Sequence, residues 1–110
     1  MTQPIATYAE FWPHYLRAHS KPATRALHYV GTALALAALF DGLSGNLTAL
    51  AAAVFYGYAF AWIGHFFVEK NRPATFTHPW WSLISDFRMF WLFLAGGLRS
   101  HLESAGVATR

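Results

Sequence analysis

The longest apolar stretch of the sequence limits this chain to folds in which a helix crosses a membrane or is buried on every side. Residues 47–63 contain no charged side chain, and the extension to Val68 adds His65 as its one ionisable group. A helix of about 20 apolar residues spans the hydrocarbon core of a bilayer. Only 12% of the residues are charged, whereas soluble domains average about 25%. We therefore predict a transmembrane helix over residues 47–68.

A second apolar segment is expected to pair with this helix. Residues 22–40 are apolar over most of their length, and Pro22 suits the first turn of a helix. Residues 41–46 have the composition of a tight turn. These three stretches together predict a central antiparallel transmembrane hairpin.

Two more helices are expected beside the hairpin. Residues 7–18 carry aromatic side chains at helical spacing, which favours an amphipathic helix in the membrane interface. Residues 79–98 are rich in Trp, Phe and Leu but contain Asp86 and Arg88, which are costly at bilayer depth. This segment either spans the membrane with both charges inside the bundle or lies in the interface. The polar tail from Arg99 is expected to be frayed.

The fold class predicted from these segments is all-α. One domain, residues 1–110, forms a small membrane-embedded bundle of about four helices. The turn of the hairpin lacks Lys and Arg. The opposite end, where the chain enters and leaves the hairpin, is called its open end. It carries the basic residues Arg17, Lys21, Arg25, Lys70 and Arg72. The positive-inside rule then puts the N-terminus and the open end on the cytoplasmic side, of the inner or plasma membrane if the chain is bacterial. The net charge of +3 is too small and dispersed to indicate nucleic acid as a partner.

Histidines gather at this predicted cytoplasmic end. The helical rise of about 1.5 Å per residue brings His28 and His65 to the open end of the hairpin, and His19 and His78 flank it. Imidazole and carboxylate ligands suit iron, zinc or manganese. His65 and Glu69 are four residues apart, so they share one face of a helix. The four histidines are therefore candidate metal ligands, and the alternative is that they serve only helix packing and the membrane interface.

Three motifs carry a resemblance to a known family. The first lies within residues 15–32 and includes Tyr-Leu-Arg-Ala-His, Pro-Ala-Thr-Arg and His-Tyr-Val-Gly-Thr. The second, residues 64–74, reads Gly-His-Phe-Phe-Val-Glu-Lys-Asn-Arg-Pro-Ala, and the third is Asp-Phe-Arg-Met at residues 86–89. Over residues 8–98 the chain resembles the domain of unknown function 962 family, which includes a yeast 2-hydroxy fatty acid dioxygenase.

The resemblance implies a membrane-bound, Fe(II)-dependent dioxygenase. Such an enzyme uses O2 to shorten a 2-hydroxy fatty acid or a related lipid by one carbon. The motif positions imply that His19, His28 and His65 hold the iron, with Glu69 nearby in the second motif. His78 lies outside these motifs and is the lowest-ranked of the four histidines.

Charged side chains of the second motif are candidates for catalytic roles. Glu69 is a candidate fourth ligand or an orienting group for the ligands. Lys70 and Arg72 are candidates for attracting the substrate carboxylate from the cytoplasmic side. The chain departs from the family pattern at Thr24, where relatives often have Asn, and at Val68, where an aromatic residue is more usual.

Two other classes of function stay open on the sequence. A small four-helix transporter would use an acidic residue inside the membrane, and Asp86 is then the candidate coupling site. A lipid-binding or scaffold protein would need no chemistry. The sequence has neither a glycine-rich phosphate loop nor a G-x-S-x-G motif, which argues against a nucleotide enzyme and a serine hydrolase.

Overall fold

The computed structural model describes residues 5–107, and this part of the chain is helical apart from its short connections. The helices are α1 (Tyr8–Arg17), α2 (Pro22–Gly42), α3 (Leu47–Ile63), α4 (Pro79–Ala95) and α5 (Leu98–Ser104). A π-helical segment, Gly64–Glu69, directly continues α3, and a short 3-10 helix, Ala74–Phe76, precedes α4. The all-α prediction is confirmed, with five α-helices in the described residues in place of about four.

Helices α2 and α3 form a long antiparallel hairpin, which is the most extensive helix pair of the fold. Both α2, with 21 residues, and the helix Leu47–Glu69, with 23 residues, are long and apolar enough to cross a membrane. Gly31 lets the two helices approach closely. A Cβ atom at this position would lie 2.8 Å from Cβ of Phe60 and 2.9 Å from the carbonyl oxygen of Tyr56.

We expect Gly31→Ala to destabilise the hairpin, because α2 and α3 must separate to admit the methyl group. Overpacking of this kind costs about 1–3 kcal/mol, which appears as a lower Tm in detergent. The matched control is Gly57→Ala on α3, where the new Cβ would have Cβ of Ala35 as its neighbour at 3.9 Å. Both variants gain the same helix propensity, so equal Tm values would contradict the close approach at Gly31.

A compact core lies at the open end of the hairpin, where α1 packs against α4 and α5. Phe11, Tyr15 and Leu16 of α1 are completely buried there, together with Met89 of α4. Their burial follows from the aromatic spacing of α1, whose apolar face is turned inward. The loop between α1 and α2 is joined to the end of the hairpin by hydrogen bonds, such as that from Ser20 to Glu69.

Helix α5 differs from the frayed tail that the sequence predicts. A seven-residue helix is marginal by itself in water, so its stability comes from tertiary contacts. Leu98 and Leu102 are buried in the core that α1 shares, and the indole N–H of Trp12 donates to Nδ1 of His101 at 3.1 Å. These contacts with α1 order the segment. Its polar composition gave no indication that one of its faces packs against the core.

The π-helical segment after α3 shapes the chain at the open end of the hairpin. It ends at Glu69, and the next residue, Lys70, adopts a left-handed conformation with φ of 64°. The backbone N–H of Asn71 then bonds to the carbonyl oxygen of His65 at 2.9 Å. Single π-helical turns often occur at functional sites, and this one folds the chain back so that Asn71 lies beside His65.

Candidate metal centre

Three of the four predicted histidine ligands meet at the open end of the hairpin. His19 follows α1, His28 lies in the second turn of α2, and His65 lies in the π-helical segment. One ligand atom from each lies within 4.8 Å of the other two, and Nε2 of His19 is 3.0 Å from Nε2 of His28. All three side chains are buried. We refer to these residues as the three-histidine group.

Hydrogen bonds orient each ring of the three-histidine group. In every case Nδ1 lies within hydrogen-bonding distance of an oxygen atom. The acceptors are the carbonyl oxygens of Tyr15 and Thr24 and Oδ1 of Asn71, at 2.6, 3.2 and 2.7 Å. Because a carbonyl oxygen can only accept, each Nδ1 carries the proton and each Nε2 keeps its lone pair. Histidines that bind metals are held in this way by their second nitrogen.

Asn71 supports His65 from the loop after the π-helical segment. Its Nδ2 donates to the carbonyl oxygen of Ala18 at 3.0 Å, which turns Oδ1 toward His65. One side chain thus joins the loop after α1 to the loop after α3. Asn71 is a candidate site residue that the sequence reasoning missed, although it lies within the second motif.

The surroundings of His19 keep its imidazole neutral. Burial, reinforced by the neighbouring His28 and His65, lowers the pKa of His19 well below its usual range. Neutral imidazole is the form that binds a metal. Arg25 is buried beside it and donates to the carbonyl oxygens of His19 and Ser20, at 2.8 and 3.0 Å. These two bonds fix the backbone that presents His19.

Asp86 of α4 places a carboxylate beside the three-histidine group. Its Oδ1 lies 3.9 Å from Nε2 of His28 and accepts a hydrogen bond from the hydroxyl group of Tyr15. Burial and the negative charge of Asp86 raise the pKa of Tyr15 well above its usual range, so the hydroxyl keeps the proton that it donates. The sequence suggested Asp86 only as a transporter coupling site. The Asp-Phe-Arg-Met motif was the signal that could have identified it.

Glu69 is engaged away from the three-histidine group. Oε2 accepts from the hydroxyl group of Ser20 at 2.9 Å, and Oε1 accepts from the backbone N–H of Lys21 at 2.5 Å. The carboxylate therefore joins the end of the π-helical segment to the start of α2, where a negative charge is favourable. Its predicted roles as a metal ligand or a catalytic group stay predictions.

The remaining predicted site residues lie around this centre. The ring of His78 stacks on Trp81, with centroids 5.5 Å apart, in an aromatic cluster between α1 and α4. Lys70 directly follows the π-helical segment, and the guanidinium of Arg72 lies 5.6 Å from the ring centroid of Phe76. The structure does not bring these three side chains into the three-histidine group, so their functional roles also stay predictions.

A cavity of about 300 Å³ opens from the three-histidine group. His28, His65 and Asp86 line its polar end. Apolar and small side chains of α2, α3 and α4 form most of the remaining walls. The arrangement suits a molecule with a polar end and an apolar body.

The donor set fits a divalent transition metal. Three neutral imidazoles converge, His19 and His28 through their Nε2 atoms, and a carboxylate lies next to them. Imidazole with carboxylate suits iron, and two histidines with one carboxylate are the ligands of many non-haem Fe(II) oxygenases. The buried position of the three-histidine group also limits the access of water.

A comparison with protein families agrees with the resemblance seen in the sequence. The family described as "2-hydroxy-palmitic acid dioxygenase Mpo1-like" matches residues 5–98. No curated protein and no solved structure gives a significant match. The matched range contains the three-histidine group, Asn71 and Asp86. The chain therefore belongs to the Mpo1-like family.

Proposed function

We propose that this protein is a membrane-bound, Fe(II)-dependent dioxygenase that shortens a 2-hydroxy fatty acid by one carbon. The observation that carries the proposal is the buried three-histidine group, two of whose members, His28 and His65, line one end of a largely apolar cavity. The family description supports a 2-hydroxy fatty acid as the substrate class.

Iron bound by His19, His28 and His65 would supply the Lewis acidity and the redox capacity that a reaction with O2 requires. The overall reaction converts a 2-hydroxy acid and O2 into the acid one carbon shorter, carbon dioxide and water. The C1–C2 bond breaks, C2 becomes the new carboxyl carbon, and O2 accepts the four electrons that the two carbons lose.

The side chains around the centre orient the substrate and the ligands. Asp86 accepts a hydrogen bond from the 2-hydroxyl group, and Tyr15 holds the Asp86 carboxylate in place through its own hydroxyl. Lys70 and Arg72 attract the substrate carboxylate toward the open end of the hairpin. The apolar walls of the cavity exclude water from the reacting carbons.

The membrane position is part of the proposal. Helix α2 and the helix Leu47–Glu69 would cross the bilayer, with the basic open end on the cytoplasmic side. Large apolar side chains of the hairpin are exposed, such as Phe40 at 81% and Leu47 at 77%. Such surface is unfavourable in water and favourable in lipid. The metal centre would then lie near the cytoplasmic face.

Turnover tests this proposal directly. The protein is purified without oxygen, loaded with Fe(II), and given 2-hydroxyhexadecanoic acid and O2. We expect pentadecanoic acid and carbon dioxide in equal amounts, with matching consumption of O2. Hexadecanoic acid, which lacks the 2-hydroxyl group, is expected to remain unchanged. Absence of the shortened acid from the iron-loaded protein would contradict the proposed activity.

Replacing Asn71 with alanine is expected to weaken iron binding about 10–100-fold, as is typical when a residue that orients a metal ligand is lost. The imidazole of His65 then loses the acceptor for Nδ1–H. Titration of the iron-free protein with Fe(II) measures the affinity. The matched control is Asn46→Ala at the other end of the hairpin, where Asn46 caps α3. An unchanged iron affinity for Asn71→Ala would show that Asn71 does not support the centre.

A further inference from the structure

We propose that the acyl tail of the substrate lies in a groove between α2 and α3, and that small residues on α3 determine how much of the tail fits. This inference rests on the proposed function and adds the position of the tail. The groove is the apolar part of the cavity that opens from the three-histidine group.

The residues that line the groove form one stripe on each helix of the hairpin. On α3 and its extension four of them recur every four residues, which keeps them on one helix face: Ala53, Gly57, Ala61 and His65. Val54 and Tyr58 line the groove beside this row. On α2 the residues His28, Thr32, Ala35 and Leu39 are four, three and four positions apart, which also keeps them on one helix face. Each stripe has a histidine of the metal centre at one end and an apolar residue near the hairpin turn at the other. The groove therefore leads from the proposed reaction centre into the apolar half of the hairpin.

The length of the groove matches a long-chain acid. Leu39 is 11 residues after His28 and Ala53 is 12 residues before His65, which corresponds to about 16–18 Å at the helical rise. A carbon–carbon bond of about 1.5 Å and near-tetrahedral angles advance an extended chain by about 1.25 Å per carbon. The groove thus holds about 13–14 carbons beyond the polar end.

Small side chains make the groove possible on α3. Ala61, Gly57 and Ala53 present at most a methyl group to it. A Cβ atom at Gly57 would lie 3.9 Å from Cβ of Ala35, so a longer side chain there would enter the space between the helices. The volume of about 300 Å³ is at the low end for ligand pockets and suits one acyl chain rather than a lipid with two.

The groove is open along the side of the hairpin. Leu36 and Val54, which line it, are 38% and 62% exposed, on helices long enough to cross a membrane. A tail that is dissolved in the bilayer can therefore enter sideways while its carboxylate stays near the basic open end. This route spares the acyl chain from passing through water, where its apolar surface is unfavourable.

A graded series of variants tests the inference. Ala61→Leu, Gly57→Leu and Ala53→Leu place the same side chain four, eight and twelve residues from His65. Binding of 2-hydroxy acids of increasing length is measured by titration of the iron-free protein in lipid nanodiscs. We expect binding to weaken at least about tenfold, as for overpacked sites, once the tail passes the new leucine. The longest tail that still binds well is expected to have about 5 carbons in Ala61→Leu, about 10 in Gly57→Leu and about 14 in Ala53→Leu, counted beyond the polar end of the groove.

Ala51→Leu is the matched control, because Ala51 is exposed on the same helix and does not line the groove. It is expected to bind every chain length as the wild type does. Ala53 is only partly buried near the hairpin turn, so its variant keeps the test usable if Gly57→Leu fails to fold. Equal weakening at all lengths, or length limits that do not follow the order of the positions, would overturn the inference.

Parallel turnover assays separate this inference from the proposed function. Length limits in binding without any shortening of the acid would support the groove and contradict the dioxygenase. Shortening of the acid by the wild type, with no ordered length limits in the variants, would support the dioxygenase and overturn the groove.

Discussion

Replacing His65 with alanine is expected to abolish stoichiometric iron binding. His65 provides one of three imidazoles whose ligand atoms lie within 4.8 Å of one another, and the variant leaves two. Loss of an orienting neighbour alone weakens a metal site by about 10–100-fold, so loss of a ligand is expected to weaken it more than about 100-fold. Mass spectrometry of metals in protein purified without oxygen and incubated with Fe(II) measures the effect.

His78→Ala is the matched control for this experiment. His78 stacks on Trp81 and lies outside the three-histidine group, although the sequence made it a candidate ligand. The control is expected to keep the iron of the wild type. Iron content that is equal in the wild type and His65→Ala would contradict the proposed centre. A wild type that binds no metal after incubation with Fe(II) would favour the transporter or the scaffold alternative.

Asp86→Asn is expected to lower turnover at least about 100-fold, the scale for loss of a side chain that acts on a reacting hydroxyl group. The amide can still accept the hydrogen bond from Tyr15, so the fold is expected to persist. It lacks the negative charge that Asp86 presents beside His28. Iron content is expected to be retained, because the three histidines are unchanged. Steady-state assays with 2-hydroxyhexadecanoic acid, together with metal analysis, measure both quantities.

Asp41→Asn provides the comparison, because Asp41 lies at the turn of the hairpin and contacts Asn46 there. It is expected to have the turnover of the wild type. Wild-type turnover in Asp86→Asn would remove Asp86 from the mechanism. Loss of iron together with turnover would instead make Asp86 a metal ligand.

The sequence predicted those parts of the fold that depend on local pattern. The uncharged run after Leu47 and the turn-forming residues before it were sufficient for the hairpin, because apolar length and turn composition are local properties. The hairpin in turn brings His28 and His65 to one end. The family resemblance added His19 to this pair, and the structure brings all three together.

The parts that were missed depend on contacts between segments distant in sequence. The helix α5 is ordered by Trp12 and by the core that Leu98 and Leu102 share with α1. Asn71 reaches His65 only because the π-helical segment folds the chain back. Neither contact has a periodic signal in the sequence. The spacing of Glu69 from His65 suggested a shared ligand set. The structure shows that the Glu69 carboxylate accepts a hydrogen bond from Ser20, and its role as a ligand stays a prediction.

The sequence by itself determined the helical class, the hairpin and the end of the hairpin at which the histidines gather. Helical rise and apolar length are sufficient for these properties, because each follows from neighbours along the chain. Only the tertiary structure decided that a ring nitrogen from each of three histidines lies within 4.8 Å of the other two, and that Asp86 lies beside His28. These distances depend on how α1 and α4 pack against the hairpin, and packing is set by the complementary shapes of buried side chains rather than by their spacing in the sequence.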